Sequence, residues 1–425
     1  MHKKMYMVGI GGIGMSGLAQ LLKDHGNDVS GSDREASPVT ELLESKAISV
    51  LIGQKVENVP PDAELVIYSE AVWEDNPERV RAKELGIQQI SYFQGLGDIS
   101  KGMKTVAVSG THGKTTTTGM LAHILRDAGA SPTAIVGSLV KDFGSNYLKG
   151  DSNIFVVEAC EYKRDFLTLS PHILVITNVE WDHTDYYKDL ADFQSAFRTL
   201  AEKVPADGAI VTNPAHPNIA PIVAGLSVRI IDYTKEPAYA TKLPGEFNVM
   251  NARAAAAAAK ETYAAVKSPV IADSLASFEG TWRRFEYKGK TAKGADVYDD
   301  YAHHPTAIKG TLAEIRKKTT GKVIVAFHPH LYSRTRDLID GFSSAFADAD
   351  EVVIAPIYAA REVDDGTVSN RSLAELISKN GVAASAIDSF DDIGKHLDAH
   401  AAERDTIVLM GAGDIYKVAS SLVAI

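Results

Sequence analysis

The sequence contains a single cysteine, Cys160, among its 425 residues. One cysteine cannot form an intramolecular disulfide, so a disulfide-stabilised secreted fold is excluded and a reducing compartment is expected. No apolar run approaches the roughly 20 residues that a membrane-spanning helix needs, and the N-terminus lacks the pattern of a secretory signal. We therefore expect a cytoplasmic protein that does not enter the membrane.

Runs of basic residues are also missing. The formal net charge is -11, and no cluster of Lys and Arg offsets it. Nucleic-acid grooves need a positive surface, so no nucleic-acid partner is expected, although a few local cations suffice for an anionic substrate. The chain is too long for one hydrophobic core, and its length favours about three domains. Composition gives no indication of the oligomeric state.

Two common catalytic signatures are absent as well. The sequence has neither the H-E-x-x-H pattern of many zinc enzymes nor the G-x-S-x-G turn of many serine hydrolases. Four histidines of the C-terminal third lie in two short segments, but without these patterns they predict no zinc site: His303, His304, His328 and His330.

Strand-like and helix-like segments alternate along the whole chain, which predicts an α/β protein with parallel sheets. We place one domain boundary in the polar connection at residues 99–103 and a hinge at Trp282–Glu286. The predicted domains are therefore residues 1–100, 101–285 and 286–425.

The most informative segment is Ser109–Thr118, which reads SGTHGKTTTT and follows the apolar run Thr105–Val108. Glycines between a strand and a helix let backbone N–H groups surround phosphates at the positive end of the helix. Lys114 would reach the β- and γ-phosphates, and the Thr115 hydroxyl would hold Mg²⁺. A Gly-Lys-Thr that occurs by chance in an ordinary turn is the alternative.

A second glycine turn, Gly9–Gly14, follows the apolar strand Met5–Ile10, and Asp33 lies about twenty residues further on. This is the dinucleotide-binding pattern. The same backbone geometry serves any diphosphate, so the pattern alone does not identify a nicotinamide cofactor.

Two polar side chains follow apolar strands of the central part. Glu158 ends the strand Ile154–Val157, and His183 comes shortly after the strand Ile173–Ile176. In a parallel sheet, residues past the carboxyl ends of strands line the ligand crevice, so both would face Lys114 and could hold a metal. The alternatives are a surface glutamate and a loop histidine.

Two further pairs leave their roles open. Asn248 and Asn251 open the alanine-rich helix Ala252–Lys260, and helix capping alone could explain one of them. Arg283 and Arg284 lie in the predicted hinge, where solvated side chains are an alternative to a site.

The order of these motifs along the chain resembles the Mur ligases. The motifs that carry the resemblance are GIGGIGMSG (9–17), GTHGKTT (110–116), EACE (158–161), Asp182-His183, Asn248 with Asn251, Arg284-Phe285 and DDYAHHP (299–305). They are most similar to those of members that add L-alanine to UDP-N-acetylmuramate. The resemblance covers essentially the whole chain, and the ordered set is far more specific than any single motif.

The resemblance implies a Rossmann-like N-terminal domain for the UDP-sugar, a central P-loop ATPase domain and a Rossmann-like C-terminal domain that closes on ATP. It implies ATP and Mg²⁺ as cofactors, and UDP-N-acetylmuramate and L-alanine as substrates. The resemblance assigns the following residues to ATP binding: Gly110, Thr111, His112, Gly113, Lys114, Thr115, Thr116, Asn248, Asn251, Arg284 and Asp300. It assigns to the UDP-sugar Gly11, Gly12, Ile13, Gly14, Met15, Asp33 and Ser69. The implied metal ligands are Thr115, Glu158 and His183, and the implied catalytic residues are Lys114, Glu158, His183, His330 and Arg334.

Some positions depart from the pattern. Val108 replaces the first glycine of the general phosphate loop, Leu331 stands where many relatives have Arg, Gln54 where many have His, and Phe247 where His is common. The segment 213–245 is short compared with that of typical relatives, so the central domain is expected to lack strands there.

Three other functions compete with the ligase reading. A nicotinamide dehydrogenase would leave the phosphate loop unexplained, and a nucleotide-binding switch would need no amino acid for ATP turnover. A sister ligase that attaches murein peptide to the same UDP-sugar is the nearest alternative. Ala, Gly and Ser differ so little in volume that the sequence does not decide between them as substrates.

Overall fold

Three mainly parallel β-sheets organise the protein, whose structure, a computed structural model, describes residues 2–360 and 362–423. The chain forms two compact units. The first contains Met1–Val179, Gln194–Lys242 and Val249–Thr281, and the second contains Glu180–Phe193, Leu243–Asn248 and Trp282–Ile425. The predicted α/β class with parallel sheets is confirmed.

The first sheet lies in the first unit and is wholly parallel. Its strands are β1 (Lys4–Val8), β2 (Asp28–Asp33), β3 (Ser49–Ile52), β4 (Leu65–Tyr68) and β5 (Gln88–Ser91), and its helices are α1 (Ile13–Asp24), α2 (Pro38–Ser45), α3 (Pro77–Glu84) and α4 (Tyr92–Lys101). The strand order β3-β2-β1-β4-β5 reverses between β1 and β4, which is where such sheets bind ligands. Residues 99–101 continue α4, so the connection predicted at 99–103 is wrong in that part.

The second sheet also lies in the first unit. Its strands are β6 (Lys104–Ser109), β7 (Thr133–Val140), β8 (Ser145–Leu148), β9 (Ile154–Glu158), β10 (Ile173–Ile176), β11 (Ala209–Thr212) and β12 (Arg229–Asp232); the helices in this stretch of the chain are α5 (Lys114–Asp127), α6 (Leu190–Ala201), α7 (Ala220–Val223), α8 (Glu246–Thr262) and α9 (Ser268–Ser277). The order is β12-β11-β10-β6-β9-β7-β8, with only β8 antiparallel. Because β6 is flanked by β10 and β9, residues that follow these three strands meet at one edge.

Helix α1 connects the first two sheets within the first unit. The Asn146 side chain in β8 donates to Ser16 Oγ at 3.1 Å, and Gln20 Nε2 donates to Asn146 Oδ1 at 3.2 Å. A Cβ atom on Gly17 would lie 2.9 Å from the Ile135 side chain, so the helix packs closely on β7. The boundary predicted near residue 100 thus lies inside one compact unit.

The third sheet lies in the second unit. Its strands are β13 (Glu286–Lys290), β14 (Asp296–Asp300), β15 (Val323–Phe327), β16 (Glu351–Ile354), β17 (Ala383–Ala386) and β18 (Thr406–Met410), and its helices are α10 (Pro305–Lys318), α11 (Tyr332–Asp337), α12 (Ile339–Ser343), α13 (Asn370–Lys379), α14 (Phe390–His400) and α15 (Ala419–Leu422). The order is β13-β14-β18-β15-β16-β17, with only β13 antiparallel. Alternate residues of β15 enter two apolar layers, one on each face.

Among residues 2–360 and 362–423, no helix has both the length and the apolar character needed to cross a membrane.

Candidate active site

The phosphate loop joins β6 to α5 and depends on two glycines. Gly110 and Gly113 have φ angles of +133° and +80°, a region that other residues rarely adopt. A Cβ atom on Gly110 would lie 2.1 Å from Thr177 Oγ1, and one on Gly113 would lie 2.2 Å from Asn251 Oδ1. Asn251 therefore packs directly against the loop, and a larger residue fits at neither glycine.

Residues past the end of β10 hold the loop in shape. The amide of Thr111 donates to the Asn178 carbonyl at 3.1 Å, and the amide of His112 donates to Asn178 Oδ1 at 2.9 Å. The Thr177 hydroxyl and the Asn178 amide group both donate to the His112 carbonyl. The sequence analysis assigned no role to Thr177 or Asn178, although their place after an apolar strand was a usable signal.

The ammonium group of Lys114 lies within this loop. It donates to the carbonyls of Gly110 and Thr111 at 2.5 and 3.2 Å and forms a 2.9 Å ion pair with Glu161. The Lys114 and Glu161 side chains are 14% and 1% exposed. Burial acts against the charge, but Glu161, Cys160 and Glu158 together outweigh it and raise the pKa of Lys114. Glu161 makes the largest of these favourable contributions.

Glu158 is held at both carboxylate oxygens. Thr115 Oγ1 donates to Oε1 at 3.1 Å, and the amide of Gly137 in β7 donates to Oε2 at 2.8 Å. A Cβ atom on Gly137 would lie 2.3 Å from Oε2, so only glycine allows this approach. Thr115 and Glu158 present oxygen donors, the type that Mg²⁺ prefers, at the start of α5 next to Thr116. The sequence analysis missed Gly137, although a glycine inside an apolar strand is a recognised signal.

The first glycine turn lies between β1 and α1. The Gly11 amide donates to Asp33 Oδ2 at 2.8 Å, so Asp33 orders the turn. A Cβ atom on Gly9 would lie 3.1 Å from Ser69 Cβ, which places the residue after β4 against the turn. Met15 is buried, so its predicted contact with the UDP-sugar stays a prediction.

Tyr92, at the start of α4, lies against the same turn. Gly12 precedes the first helical residue, Ile13, and a Cβ atom on Gly14 would lie 2.7 Å from Tyr92 Oη. Burial raises the pKa of Tyr92, and the negative charge of Glu158 raises it further. The phenol therefore stays protonated and can donate a hydrogen bond. The sequence analysis did not identify Tyr92.

In the second unit, Asp182 and Arg334 form a buried ion pair of 2.8 Å. Arg334 Nη1 lies 3.0 Å from His330 Nδ1, and the His183 amide donates to Asp182. Burial opposes the charge of Asp182, but Arg334, then His183, hold its pKa well below the usual value. Burial lowers the pKa of His303 well below the usual value, and the positive charge of Arg334 lowers it further, so the His303 ring is neutral. Three of the predicted residues therefore lie together: His183, His330 and Arg334.

The hinge arginines differ from each other. Arg283 is buried, pairs with Asp299 at 3.0 Å, and donates to the carbonyls of Gly411 and Gly413. The alternative that the Arg283 side chain is solvated is therefore wrong. Arg284, the predicted ATP residue, lies with its guanidinium 4.9 Å from the centre of the Tyr301 ring.

Asp300 and Asn248 contact the backbone. Asp300 accepts from the amides of Phe285 and Ala302 at 2.7 and 2.8 Å. Burial raises the pKa of Asp300 against the opposing effect of Arg284. The Asn248 side chain, in the first turn of α8, donates to the Pro244 carbonyl just before the helix at 2.7 Å. Their predicted roles toward ATP stay predictions, as does the place of His183 relative to Glu158.

Comparison with known proteins finds ligases that are similar in sequence and in structure. A UDP-N-acetylmuramate–L-alanine ligase from Clostridium botulinum (strain Loch Maree / Type A3) is 40% identical over 446 residues, covering 98% of this chain and 96% of the relative. The crystal structure of the UDP-N-acetylmuramate-alanine ligase MurC from Thermotoga maritima superposes with a TM-score of 0.81 at 29% identity, covering 99% and 98% of the two chains. The crystal structure of a murein peptide ligase from Psychrobacter arcticus superposes with a TM-score of 0.75 at 25% identity, and the match covers both chains completely.

Three family profiles match successive parts of the sequence. They are the Mur ligase family catalytic domain at residues 4–104, the Mur ligase middle domain at 108–240, and the Mur ligase glutamate ligase domain at 283–413. The resemblance predicted from the motifs is confirmed: the chain belongs to the Mur ligase family.

Proposed function

We propose that this protein joins L-alanine to the lactyl carboxylate of UDP-N-acetylmuramate, with ATP, in the synthesis of the peptidoglycan precursor. The observation that carries the proposal is the phosphate loop, where Lys114 and Glu158 are both held in place, in a chain 40% identical to such a ligase. ATP use is a property of the family. Because ATP and UDP-N-acetylmuramate are nucleotides of the cell interior and the sole cysteine suits reducing conditions, we place the reaction in the cytoplasm.

The chemistry requires activation of the carboxylate. A carboxylate and an amine do not condense in water, because the carboxylate lacks a good leaving group. In the first step, a lactyl oxygen attacks the γ-phosphorus, the bond to the β-phosphate bridging oxygen breaks, and ADP leaves with that electron pair. Lys114 stabilises the charge that spreads over the phosphate oxygens.

In the second step, the neutral amine of L-alanine attacks the acyl carbon. The resulting tetrahedral intermediate expels orthophosphate as the amide forms, and the amine loses one proton. This proton passes to a base. Exclusion of water protects the acyl phosphate from hydrolysis.

The residues present suit Mg²⁺, which we propose as the metal. The hydroxyl of Thr115 and the carboxylate of Glu158 are adjacent hard oxygen donors at the phosphate loop. Mg²⁺ bound there would supply positive charge at the phosphate oxygens. Gly137 and Thr115 orient the carboxylate by donating to its two oxygens, so Glu158 needs little rearrangement.

A phosphate-release assay with ATP, Mg²⁺ and UDP-N-acetylmuramate tests the proposal with each amino acid in turn. Turnover that requires both UDP-N-acetylmuramate and L-alanine supports it. Turnover with a murein tripeptide instead of L-alanine would favour the alternative suggested by the likeness to the Psychrobacter arcticus enzyme. Lys114→Ala should lower kcat by at least about 100-fold and leave UDP-sugar binding intact, whereas Lys101→Ala, at an exposed position, should change neither.

A further inference from the structure

Glu351, His396 and His400 form a cluster of metal-binding side chains in the second unit. Glu351 is the first residue of β16, so it lies at the amino ends of the parallel strands. His328 and Gly411, by contrast, follow the carboxyl ends of β15 and β18. The cluster therefore lies at the opposite edge of the third sheet from the hinge contacts of Arg283.

The spacing of the two histidines explains their convergence. Residues four apart on a helix lie on one face, and His396 and His400 are both in α14. Their ring centres are 3.8 Å apart. His396 Nε2 lies 2.6 Å and His400 Nδ1 lies 3.0 Å from Glu351 Oε1. One nitrogen from each ring and one carboxylate oxygen thus lie within 4.8 Å of one another.

We propose that Glu351, His396 and His400 form a binding site for Zn²⁺, separate from the ligase reaction. Two imidazole nitrogens and one carboxylate oxygen are a known ligand set for this ion, with water in the fourth position. Zinc bonds of about 2.0–2.2 Å in a tetrahedron separate the ligand atoms by roughly 3.3 Å. The two distances from Glu351 Oε1 to the histidine nitrogens, 2.6 and 3.0 Å, need to grow by less than about 1 Å to reach this value.

The surroundings favour a cation. The Glu351 and His396 side chains are 21% and 22% exposed and that of His400 is 49% exposed, so an ion can reach the cluster from solvent. His400 ends α14, and the carbonyl groups at a helix C-terminus attract positive charge.

Bound metal would link the start of β16 to the last turn of α14. These elements are far apart in the sequence, so the link should stabilise the second unit against unfolding. The distance of this edge from the strand carboxyl ends leads us to expect no effect on ligase turnover.

The test uses the full-length protein, freed of metal with a chelator and then kept in excess Mg²⁺ so that hard-ion sites are occupied. Calorimetric titration with Zn²⁺ should show one site per chain, and Zn²⁺ should raise Tm. Co²⁺ in place of Zn²⁺ should give the intense visible absorption of a tetrahedral complex, which the hydrated ion lacks. Mutation of a residue that only hydrogen-bonds to a metal ligand typically lowers metal affinity by about 10–100-fold. Because His396 is a proposed ligand itself, His396→Gln should weaken Zn²⁺ binding at least about tenfold.

Glu351→Gln and His400→Gln should weaken binding in the same way, while His25→Gln, at an exposed histidine outside the cluster, should bind as the unsubstituted protein does. His400 is half exposed, so its variant keeps the test valid if the others unfold; Tm measured with chelator present reveals such unfolding. Unchanged Zn²⁺ affinity in His400→Gln, or a Co²⁺ spectrum of the hydrated ion, would overturn the proposal. Either result would leave the three side chains as a hydrogen-bonded trio and would not affect the proposed ligase activity.

Discussion

The Lys114–Glu161 ion pair allows a quantitative prediction for Glu161→Gln. Glutamine keeps the shape and an acceptor oxygen, but it removes the negative charge 2.9 Å from the ammonium group. Because this carboxylate is the largest contribution that raises the pKa of Lys114 against the effect of burial, the pKa must fall in the variant.

The size of the lost interaction follows from the separation of the charges. Unit charges 2.9 Å apart interact by about 1.4 kcal/mol at a dielectric constant of about 80 and by about 5.7 kcal/mol at about 20. Burial of both side chains favours the upper part of this energy range. Loss of this attraction favours the neutral amine, so the pKa of Lys114 should fall.

Equilibrium binding of ATP as a function of pH is the appropriate assay, because turnover also depends on ionisation of the alanine amine. The unsubstituted protein should bind ATP equally well from about pH 7 to 9.5, since its lysine stays charged. The Glu161→Gln variant should lose affinity as pH rises through this range. At pH 7 or below it should bind ATP at least as tightly, because a carboxylate no longer competes with phosphate for Lys114.

A matched control is Glu202→Gln, which removes a carboxylate from an exposed ion pair with Arg198. Its ATP affinity should follow that of the unsubstituted protein at every pH. Parallel pH dependences for Glu161→Gln and the unsubstituted protein would refute the argument that Glu161 maintains the charge of Lys114.

Three further predictions follow from the contacts described. Gly137→Ala should lower kcat at least about tenfold while UDP-sugar binding persists, because the new Cβ would lie 2.3 Å from Glu158 Oε2. Asp182→Asn should lower the free energy of unfolding at pH 7 by about 3–5 kcal/mol in urea titrations, since it leaves Arg334 buried without its charge partner. Cys160 should react with iodoacetamide at pH 8 on the order of 1,000-fold more slowly in the native protein than in urea, because burial, then Glu161, raise its pKa to about 12.

Each of these has a control and an outcome that contradicts it. Gly102→Ala, at a position with room for a Cβ atom, should leave kcat unchanged, and a fully active Gly137→Ala would show that the Glu158 contact is dispensable. Asp392→Asn, at an exposed carboxylate, should cost less than about 1 kcal/mol. The Asp182 pKa is lowered, so its stabilisation is complete above about pH 4 and is lost only in stronger acid; an Asp182→Asn effect that disappears near pH 6 would contradict the assignment. Rapid native alkylation would contradict the raised pKa of Cys160.

Much of the phosphate loop could be predicted because its signal is local. Glycines, a lysine and a threonine at fixed spacing after an apolar run specify a strand, a turn and a helix. The structure places Gly110 and Gly113 in left-handed conformations between β6 and α5, as the motif requires. The fold class could be predicted for the same reason, from apolar runs that alternate with helical patterns.

The supporting contacts could not be predicted because they depend on which strands become neighbours. Gly137 reaches Glu158 only because β7 pairs with β9, and Asn178 reaches the loop only because β10 pairs with β6. The hinge arginines show another limit of prediction from the sequence. Arg283 adopts φ of +59° and enters the interior, whereas Arg284 lies beside Tyr301, and nothing in the pair of identical residues distinguishes them.

The attachment of α1 to β7 and β8 has a consequence for the order of folding during synthesis. The polar groups of Ser16 and Gln20 find their partner in Asn146, which the ribosome adds more than a hundred residues later. The N-terminal sheet therefore cannot complete its packing while it is the only part to have emerged. A nascent chain stalled near residue 103 should be sensitive to protease along α1, and one stalled well beyond the second sheet should be protected.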